Sequence, residues 1–226
     1  MTRLFDDDLN IFHNHILRIA AYAEKAISRS MEALQKQDKD MARSVIEQDK
    51  EIDQMENKIE IEGIDLLARY QPMAIDLRRI TNGLRINSEL ERIADMAVNI
   101  CYKVIDISDQ PLLKPLIDIP RLADIAKGML KGAIDSFVNR DVKAAEQVIL
   151  SDKEADELRD RVMSELVNDY MIKDGKTAPR AVPLLLIARD LERICDHAAN
   201  IAEDVIYMTK AKMVKHHPEE LDGEKK

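Results

Sequence analysis

The strongest constraint on the fold is that the sequence repeats itself in order. Residues 84–100 match residues 185–201 at an offset of 101, and both stretches contain Glu-Arg-Ile followed by a small residue and Asp. Upstream, residues 45–53 match residues 148–156 at an offset of 103. Because identities recur in the same order in two separate segments, we predict a duplicated structural unit.

Each copy of the repeat is predicted to be helical. The 226 residues include only six Gly and seven Pro, too few turn residues for an all-β sandwich. Asp6 to Asp8 are predicted to cap a first helix that runs to about residue 37, and Asp38 and Asp141 to cap the second and fifth. The remaining boundaries are predicted near residues 39–71, 73–108, 120–139, 141–173 and 178–215, with a turn at 174–177.

Apolar residues in the third and sixth predicted helices form matching seams. They are spaced 4-3-4-3-4, as in nearly antiparallel helical bundles. The seams comprise Ile86, Leu90, Ile93, Ala97, Ile100 and Val104, and Ile187, Leu191, Ile194, Ala198, Ile201 and Val205. We therefore predict an all-α fold of two tandem repeated three-helix bundles, at residues 1–110 and 111–217, followed by a charged flexible tail at 218–226.

Charge and hydropathy exclude several classes of protein. The net charge of −9 argues against a nucleic-acid binder, which needs a basic surface to displace phosphate counterions. No apolar run approaches 18 residues, so we predict no membrane span. The N-terminal residues lack the apolar core of a signal peptide, and Cys101 and Cys195 are predicted to be buried thiols. We expect a cytoplasmic protein.

Paired acids recur at equivalent positions of the two copies. Glu91 and Asp95 lie four residues apart, on one helical face and off the apolar seam. Glu192 and Asp196 occupy the same places in the second copy. Asn99 and Asn200 follow one turn later and could orient these carboxylates. Acids without a shared role would be free to differ between the copies, which favours a functional interpretation.

The preceding helices add further acids. The second predicted helix carries Asp49, Asp53, Glu56 and Glu60, and the fifth carries Asp152, Asp156 and Asp160, with Arg159 where the first copy has Glu56. Stacked carboxylates on neighbouring helices are hard oxygen ligands suited to Mg²⁺, Mn²⁺, Ca²⁺ or iron. A solvated face neutralised by nearby Arg and Lys side chains is the alternative interpretation.

Other sequence signals for chemistry are weak. The sequence has no E-x-x-H, H-E-x-x-H or C-x-x-C motif and no Gly-rich phosphate loop. His197 follows Asp196 and is a candidate metal ligand or, alternatively, a packing residue. No Ser/His/Asp or Cys/His set can be assembled, so we predict that the protein is not an enzyme.

Three stretches resemble the PhoU family of phosphate-signalling proteins. They are the segment Arg-Tyr-Gln-Pro-Met-Ala-Ile-Asp-Leu-Arg at 69–78, Glu-Arg-Ile-Ala-Asp at 91–95 and Glu-Arg-Ile-Cys-Asp at 192–196. With the duplicated three-helix layout, the resemblance covers about residues 5–215. Many members of that family have Gly where Ala94 and Cys195 stand here.

The resemblance implies a cytoplasmic regulator of phosphate homeostasis. It implies partnership with a phosphate ABC transporter and a sensor histidine kinase, and repression of the phosphate-starvation response. It also implies metal binding through the repeated motif, as a multinuclear iron cluster or as other divalent or trivalent ions such as Mn, Mg or Zn. The matching ligands are Glu91, Asp95, Glu192 and Asp196, to which the helix geometry adds Asp49, Asp53, Asp152 and Asp156.

Three hypotheses remain open from the sequence. The first is a non-catalytic metal-binding adaptor, which the absence of catalytic motifs favours. The second is a metalloenzyme that uses the paired carboxylates. The third is a purely structural helical scaffold with solvated acidic faces. Long helices with mixed-charge outer faces, together with the resemblance, also predict a homodimer.

Overall fold

Six long helices build the protein. The computed structural model describes residues 2–212, with side chains described from residue 4 onward, and within this range it contains no β-strand. The helices are α1 (Thr2–Lys36), α2 (Lys39–Tyr70), α3 (Ala74–Ile107), α4 (Asp118–Asn139), α5 (Val142–Glu165) and α6 (Ala178–Lys210). The predicted all-α fold with two tandem three-helix repeats is confirmed. Within residues 2–212, none of these helices combines the length and apolar character needed to cross a bilayer.

Equivalent corners begin the second helix of each repeat. The Asp38 carboxylate accepts hydrogen bonds from the backbone N–H groups of Asp40 and Met41, and Asp141 caps α5 in the same way. The residue before each cap has a left-handed backbone, with φ of 51° at Gln37 and 53° at Arg140. Both predicted caps are confirmed, because the local sequence suffices to satisfy the free N–H groups of a helix start.

The start of α1 differs from its prediction. The helix begins at Thr2, so Asp6 to Asp8 lie inside it and do not cap it. Asp8 instead accepts a hydrogen bond of 2.8 Å from the hydroxyl of Tyr70, which ties α1 to the end of α2. This long-range contact gives the Asp8 carboxylate a partner that local capping rules could not anticipate.

Two other helix ends also differ from their predictions. The fifth helix continues past Glu165 as a π-helical segment, Leu166–Met171, in place of α-helix to residue 173. The sixth helix ends at Lys210 and not near residue 215, because Ala211 adopts a left-handed backbone that stops α-helical hydrogen bonding. The predicted tail at 218–226 lies outside the described residues.

The antiparallel pair α3 and α6 joins the two repeats. Residue numbers rise along α3 as they fall along α6, as shown by the contacts of Arg85 with Asp204 (3.3 Å) and of Lys103 with Asp190 (3.5 Å). In the first repeat α1 packs on α2 and α3, and in the second α4 packs on α5 and α6. A smaller contact between α1 and α4 closes the two repeats into one body.

The predicted apolar seams form the centre of the core. All twelve seam side chains in α3 and α6 are 0% exposed. Cys101 and Cys195 are likewise fully buried, and burial raises the pKa of both thiols, that of Cys101 to about 12. The seam register and the buried thiols are therefore confirmed.

Truncation within this seam should destabilise the whole protein. Leu191→Ala removes a fully buried side chain, so we expect the free energy of unfolding to fall by about 2–5 kcal/mol, through lost burial and a residual cavity. Urea unfolding followed by circular dichroism measures this loss. Arg193→Ala, on the exposed side of the same helix, is the matched control and should change stability by about 0.5 kcal/mol or less. Similar losses of unfolding free energy for the two variants would contradict the placement of Leu191 in the buried seam.

Candidate metal centre

Two acidic faces occupy equivalent places in the two repeats. The first acidic face lies where α2 packs on α3, and the second where α5 packs on α6. The eight acids predicted from the sequence all belong to one or the other. The first acidic face comprises Asp49, Asp53, Glu56, Glu91 and Asp95, and the second comprises Asp152, Asp156, Glu192 and Asp196.

The first acidic face concentrates negative charge. Burial, followed by repulsion from Asp95, Glu56, Asp53 and Asp49, raises the pKa of Glu91 to about 7. Burial and the neighbouring Asp53 and Asp95 raise the pKa of Asp49 to about 6. All the groups that shift these two pKa values favour the protonated form. Four carboxylates are thus close enough to Glu91 to oppose its ionisation.

The second acidic face contains its own cation. Arg159 donates a hydrogen bond of 2.6 Å to Glu192, and its guanidinium lies 3.0 Å from Asp156 and 2.9 Å from Asp160. Burial and Asp196 still raise the pKa of Glu192 to about 7, with Arg159 opposing the shift. At the equivalent position the first repeat has Glu56, so the two faces share a backbone arrangement but differ in charge.

The second face also borders open space. A cleft of about 750 Å³ is lined by Asp152, Asp156 and Asp196. Burial, Asp196 and Asp156 raise the pKa of Asp152 to about 6, while Asp196 itself is exposed. Solvent ions therefore have direct access to the carboxylates that Arg159 does not hold.

The donor set suits hard cations, but it is not preassembled. Among residues 2–212, no three His, Cys, Asp or Glu side chains converge as they would around one metal ion. Binding would therefore require rotation of carboxylate side chains towards a shared ion. The first acidic face fits this better than the second, because a metal there replaces repulsion between carboxylates whereas Arg159 already neutralises part of the second.

His197 borders the same cleft as Asp196, but its Nδ1 bonds to the other repeat. It is only 9% exposed, and its Nδ1 lies 2.7 Å from a carboxylate oxygen of Glu89 on α3. The Asn200 amide donates to the same oxygen at 3.1 Å. Burial alone would raise the pKa of Glu89, but these hydrogen bonds and the charge of Arg92 lower it.

This arrangement decides two expectations from the sequence. Of the two alternatives for His197, the packing role is the one its hydrogen bond to Glu89 supports. Asn200 was expected to orient Glu192 or Asp196. Its amide instead donates a hydrogen bond to Glu89 of the other repeat. Sequence reasoning missed Glu89, which lies within the repeated stretch 84–100 but before its Glu-Arg-Ile-x-Asp motif. The only sequence signal for Glu89 was the acid at the equivalent position of the second copy, Asp190.

The crowded acids should make the metal-free protein more stable in mild acid. The unfolded values of 3.8 for Asp and 4.5 for Glu lie below the folded values of about 6 and 7. The folded state then retains protons that the unfolded state releases, so the free energy of unfolding falls as the pH rises through this window. We expect a higher melting temperature at about pH 5 than at about pH 7.5 in chelator-treated protein.

The control for this pH dependence is Glu91→Gln combined with Glu192→Gln. Because the two glutamines cannot ionise, the double variant should lose much of the dependence while its other titrating groups stay. His13 contributes a pH dependence of the opposite sign in both proteins. Because burial lowers its pKa to about 4, its contribution to the free energy of unfolding falls as the pH drops. Identical pH profiles of melting temperature for the two proteins would refute the argument.

Comparison with known proteins agrees with this architecture. The family model described as PhoU domain matches the chain twice, over residues 16–104 and 119–205. A phosphate-specific transport system accessory protein PhoU homolog of Aquifex aeolicus is 38% identical, over 92% of this chain and 94% of that protein. The homolog of Clostridium acetobutylicum is 36% identical, over 95% and 98%.

Solved structures extend the likeness to three dimensions. The crystal structure of PhoU from Pseudomonas aeruginosa superposes with a TM-score of 0.89 at 32% identity, covering 92% of this chain and all of that one. PhoU from Streptococcus pneumoniae, described as a phosphate transport system regulatory protein, gives a TM-score of 0.87 at 26% identity over 93% of this chain. With both repeats matched and relatives above 30% identity over nearly the full length, the chain belongs to the PhoU family.

Proposed function

We propose that this protein is a non-catalytic, metal-binding regulator of phosphate homeostasis. The observation that carries the metal part is the pair of equivalent acidic faces, in which burial and neighbouring carboxylates raise the pKa values of Asp49, Glu91, Asp152 and Glu192. A divalent or trivalent cation would relieve that repulsion and stabilise the folded state that binds it. Iron, Mn²⁺, Mg²⁺ or Zn²⁺, singly or as a multinuclear iron cluster, are the candidates, and the first acidic face is the stronger site.

The regulatory part of the proposal rests on family membership. The relatives are named accessory proteins of a phosphate-specific transport system. We infer that this chain acts in the cytoplasm on a phosphate ABC transporter and a sensor histidine kinase, and represses the phosphate-starvation response when phosphate is plentiful. A large apolar side chain available for such contacts stands exposed at the corner before α3, namely Met73.

A non-catalytic role accords with the state of the nucleophiles. Burial raises the pKa of both thiols, so Cys101 and Cys195 stay protonated and enclosed in the core. His15 lies 2.6 Å from Glu62 and His197 lies 2.7 Å from Glu89, so each imidazole has a carboxylate partner outside the proposed ligand set. The alternative, a metalloenzyme, would be favoured instead if the metal-loaded protein hydrolysed phosphate esters.

Removing one carboxylate from each face should reduce metal uptake without unfolding the protein. Asp95→Asn with Asp196→Asn keeps side-chain shape and relieves repulsion, so the metal-free variant should be at least as stable as wild type. Calorimetric titration with Mn²⁺, and with Fe²⁺ under anaerobic conditions, should show a sharp loss of binding. Metal should raise the melting temperature of wild type far more than that of the variant.

Two further variants and a control sharpen this test. Exchanging the residues that distinguish the faces should act in opposite directions: Glu56→Arg should lower uptake at the first face, and Arg159→Glu should raise it at the second. Asp106→Asn removes an exposed acid of α3 outside both faces and should leave uptake unchanged. Equal metal binding by wild type and by the Asp95, Asp196 double variant would remove these residues from the site and favour the solvated scaffold.

We also propose that the protein forms a homodimer. The long helices leave extended outer faces with mixed charge, on which Ile61 and Ile64 of α2 remain 69% and 55% exposed. Burial of such side chains against a second copy would favour association. Light scattering should give twice the 25.8 kDa mass of the chain at micromolar concentrations. A single species at the monomer mass across that range would contradict the proposal.

A further inference from the structure

A separate cavity lies where α1, α3, α4 and α6 meet. It has a volume of about 400 Å³, within the range of small-molecule sites. Its polar lining comes from His13 of α1, Arg79 of α3 and Arg140 at the end of α4, together with Asn10 and Asn14. It shares no residue with either acidic face, and it is built from both repeats.

Two polar atoms at this cavity are buried without a hydrogen-bond partner among the described residues. They are Nε2 of His13 and Nε of Arg79. The Arg79 side chain is 16% exposed, and its Nη1 reaches Asp76 at 3.4 Å, which leaves Nε unused. Buried polar groups are nearly always hydrogen-bonded, so a pair without partners at one cavity indicates a missing ligand or water.

The cavity is also positively charged, in a chain whose net charge is −9. Burial and the charges of Arg79 and Arg140 together lower the pKa of His13 to about 4. A third arginine, Arg78, donates from Nε to the backbone carbonyl of Met208, another lining residue. His13 is consequently a neutral imidazole under the influence of two guanidinium charges.

The corner that places Arg140 at the cavity recurs in the first repeat. The residue ends α4 with φ of 53° and ψ of 37°, a left-handed conformation that usually selects Gly or Asn at a helix C-terminus. The equivalent residue of the first repeat is Gln37, at φ of 51°, so a neutral side chain tolerates the same corner. A cation stands at this corner only in the repeat where it borders the cavity.

We propose that the cavity binds a tetrahedral oxyanion, either inorganic phosphate or the phosphate group of a monoester. Guanidinium groups pair with phosphate oxygens through two parallel hydrogen bonds, and a neutral imidazole can donate a further one. The three donors approach from three different helices, which suits several oxygens pointing in different directions. Beside them, Leu17, Phe137 and Met208 form an apolar wall that could receive the organic part of an ester.

The test uses the full chain stripped of metal with a chelator, so that phosphate held by a metal at the acidic faces cannot contribute. Inorganic phosphate and AMP are titrated separately by calorimetry, with chloride at matched ionic strength as the reference. Arg140→Gln removes one cation at a corner that accepts Gln, and should weaken binding about tenfold or more. Arg121→Gln, on the exposed side of α4 and paired with Glu154, is the matched control and should bind like wild type.

A second readout follows His13 directly. Because a bound anion favours the imidazolium, the NMR-derived pKa of His13 should rise from about 4 when the anion is added to wild type, and much less in Arg140→Gln. Tighter binding of AMP would assign the site to phosphate monoesters, and tighter binding of inorganic phosphate to the free anion. Absence of binding by both, or equal binding by wild type and Arg140→Gln, would overturn the proposal and leave water in the cavity. Either result stands independently of metal binding.

Discussion

The antiparallel packing of α3 on α6 is the contact on which the rest of the structure depends. The apolar seams of both helices are fully buried, and no other pair of helices in the described chain packs together as extensively. Because this seam fixes the rotation of both helices, it also fixes where their polar sides point. Glu91 and Glu192 consequently face the preceding helix of their own repeat, while Glu89 faces the other repeat.

Polar contacts set the register of this central pair. Asp190 is 1% exposed and lies 3.5 Å from Lys103, while His197 and Asn200 share Glu89. Buried ion pairs contribute little net stability because desolvation opposes the attraction, but a shifted register would leave their charges unpaired. The apolar seam therefore supplies the driving force for packing, and these polar groups discriminate against a slipped arrangement.

The two repeats share one arrangement of helices but differ in charge at equivalent positions. The acids of the repeated motif are the same in both copies, but Glu56 is replaced by Arg159 and Gln37 by Arg140 at equivalent positions. The first acidic face thus accumulates carboxylates, and the second repeat supplies cations both to its own acidic face and to the cavity between the repeats. The proposed anion site and the proposed cation site can coexist in one small protein because different helix faces carry their residues.

The sequence by itself determined the helices, the two caps, the buried seam and the pairing of acids on one helical face, since each depends on spacing within about two helical turns. The sequence did not predict contacts between residues that are far apart in the chain. Tertiary structure alone decided that Asp8 bonds Tyr70, that His197 turns to Glu89, and that the acids are close without converging on one point. It also brought His13, Arg79 and Arg140 together, because three helices far apart in the chain meet only once their apolar faces have packed.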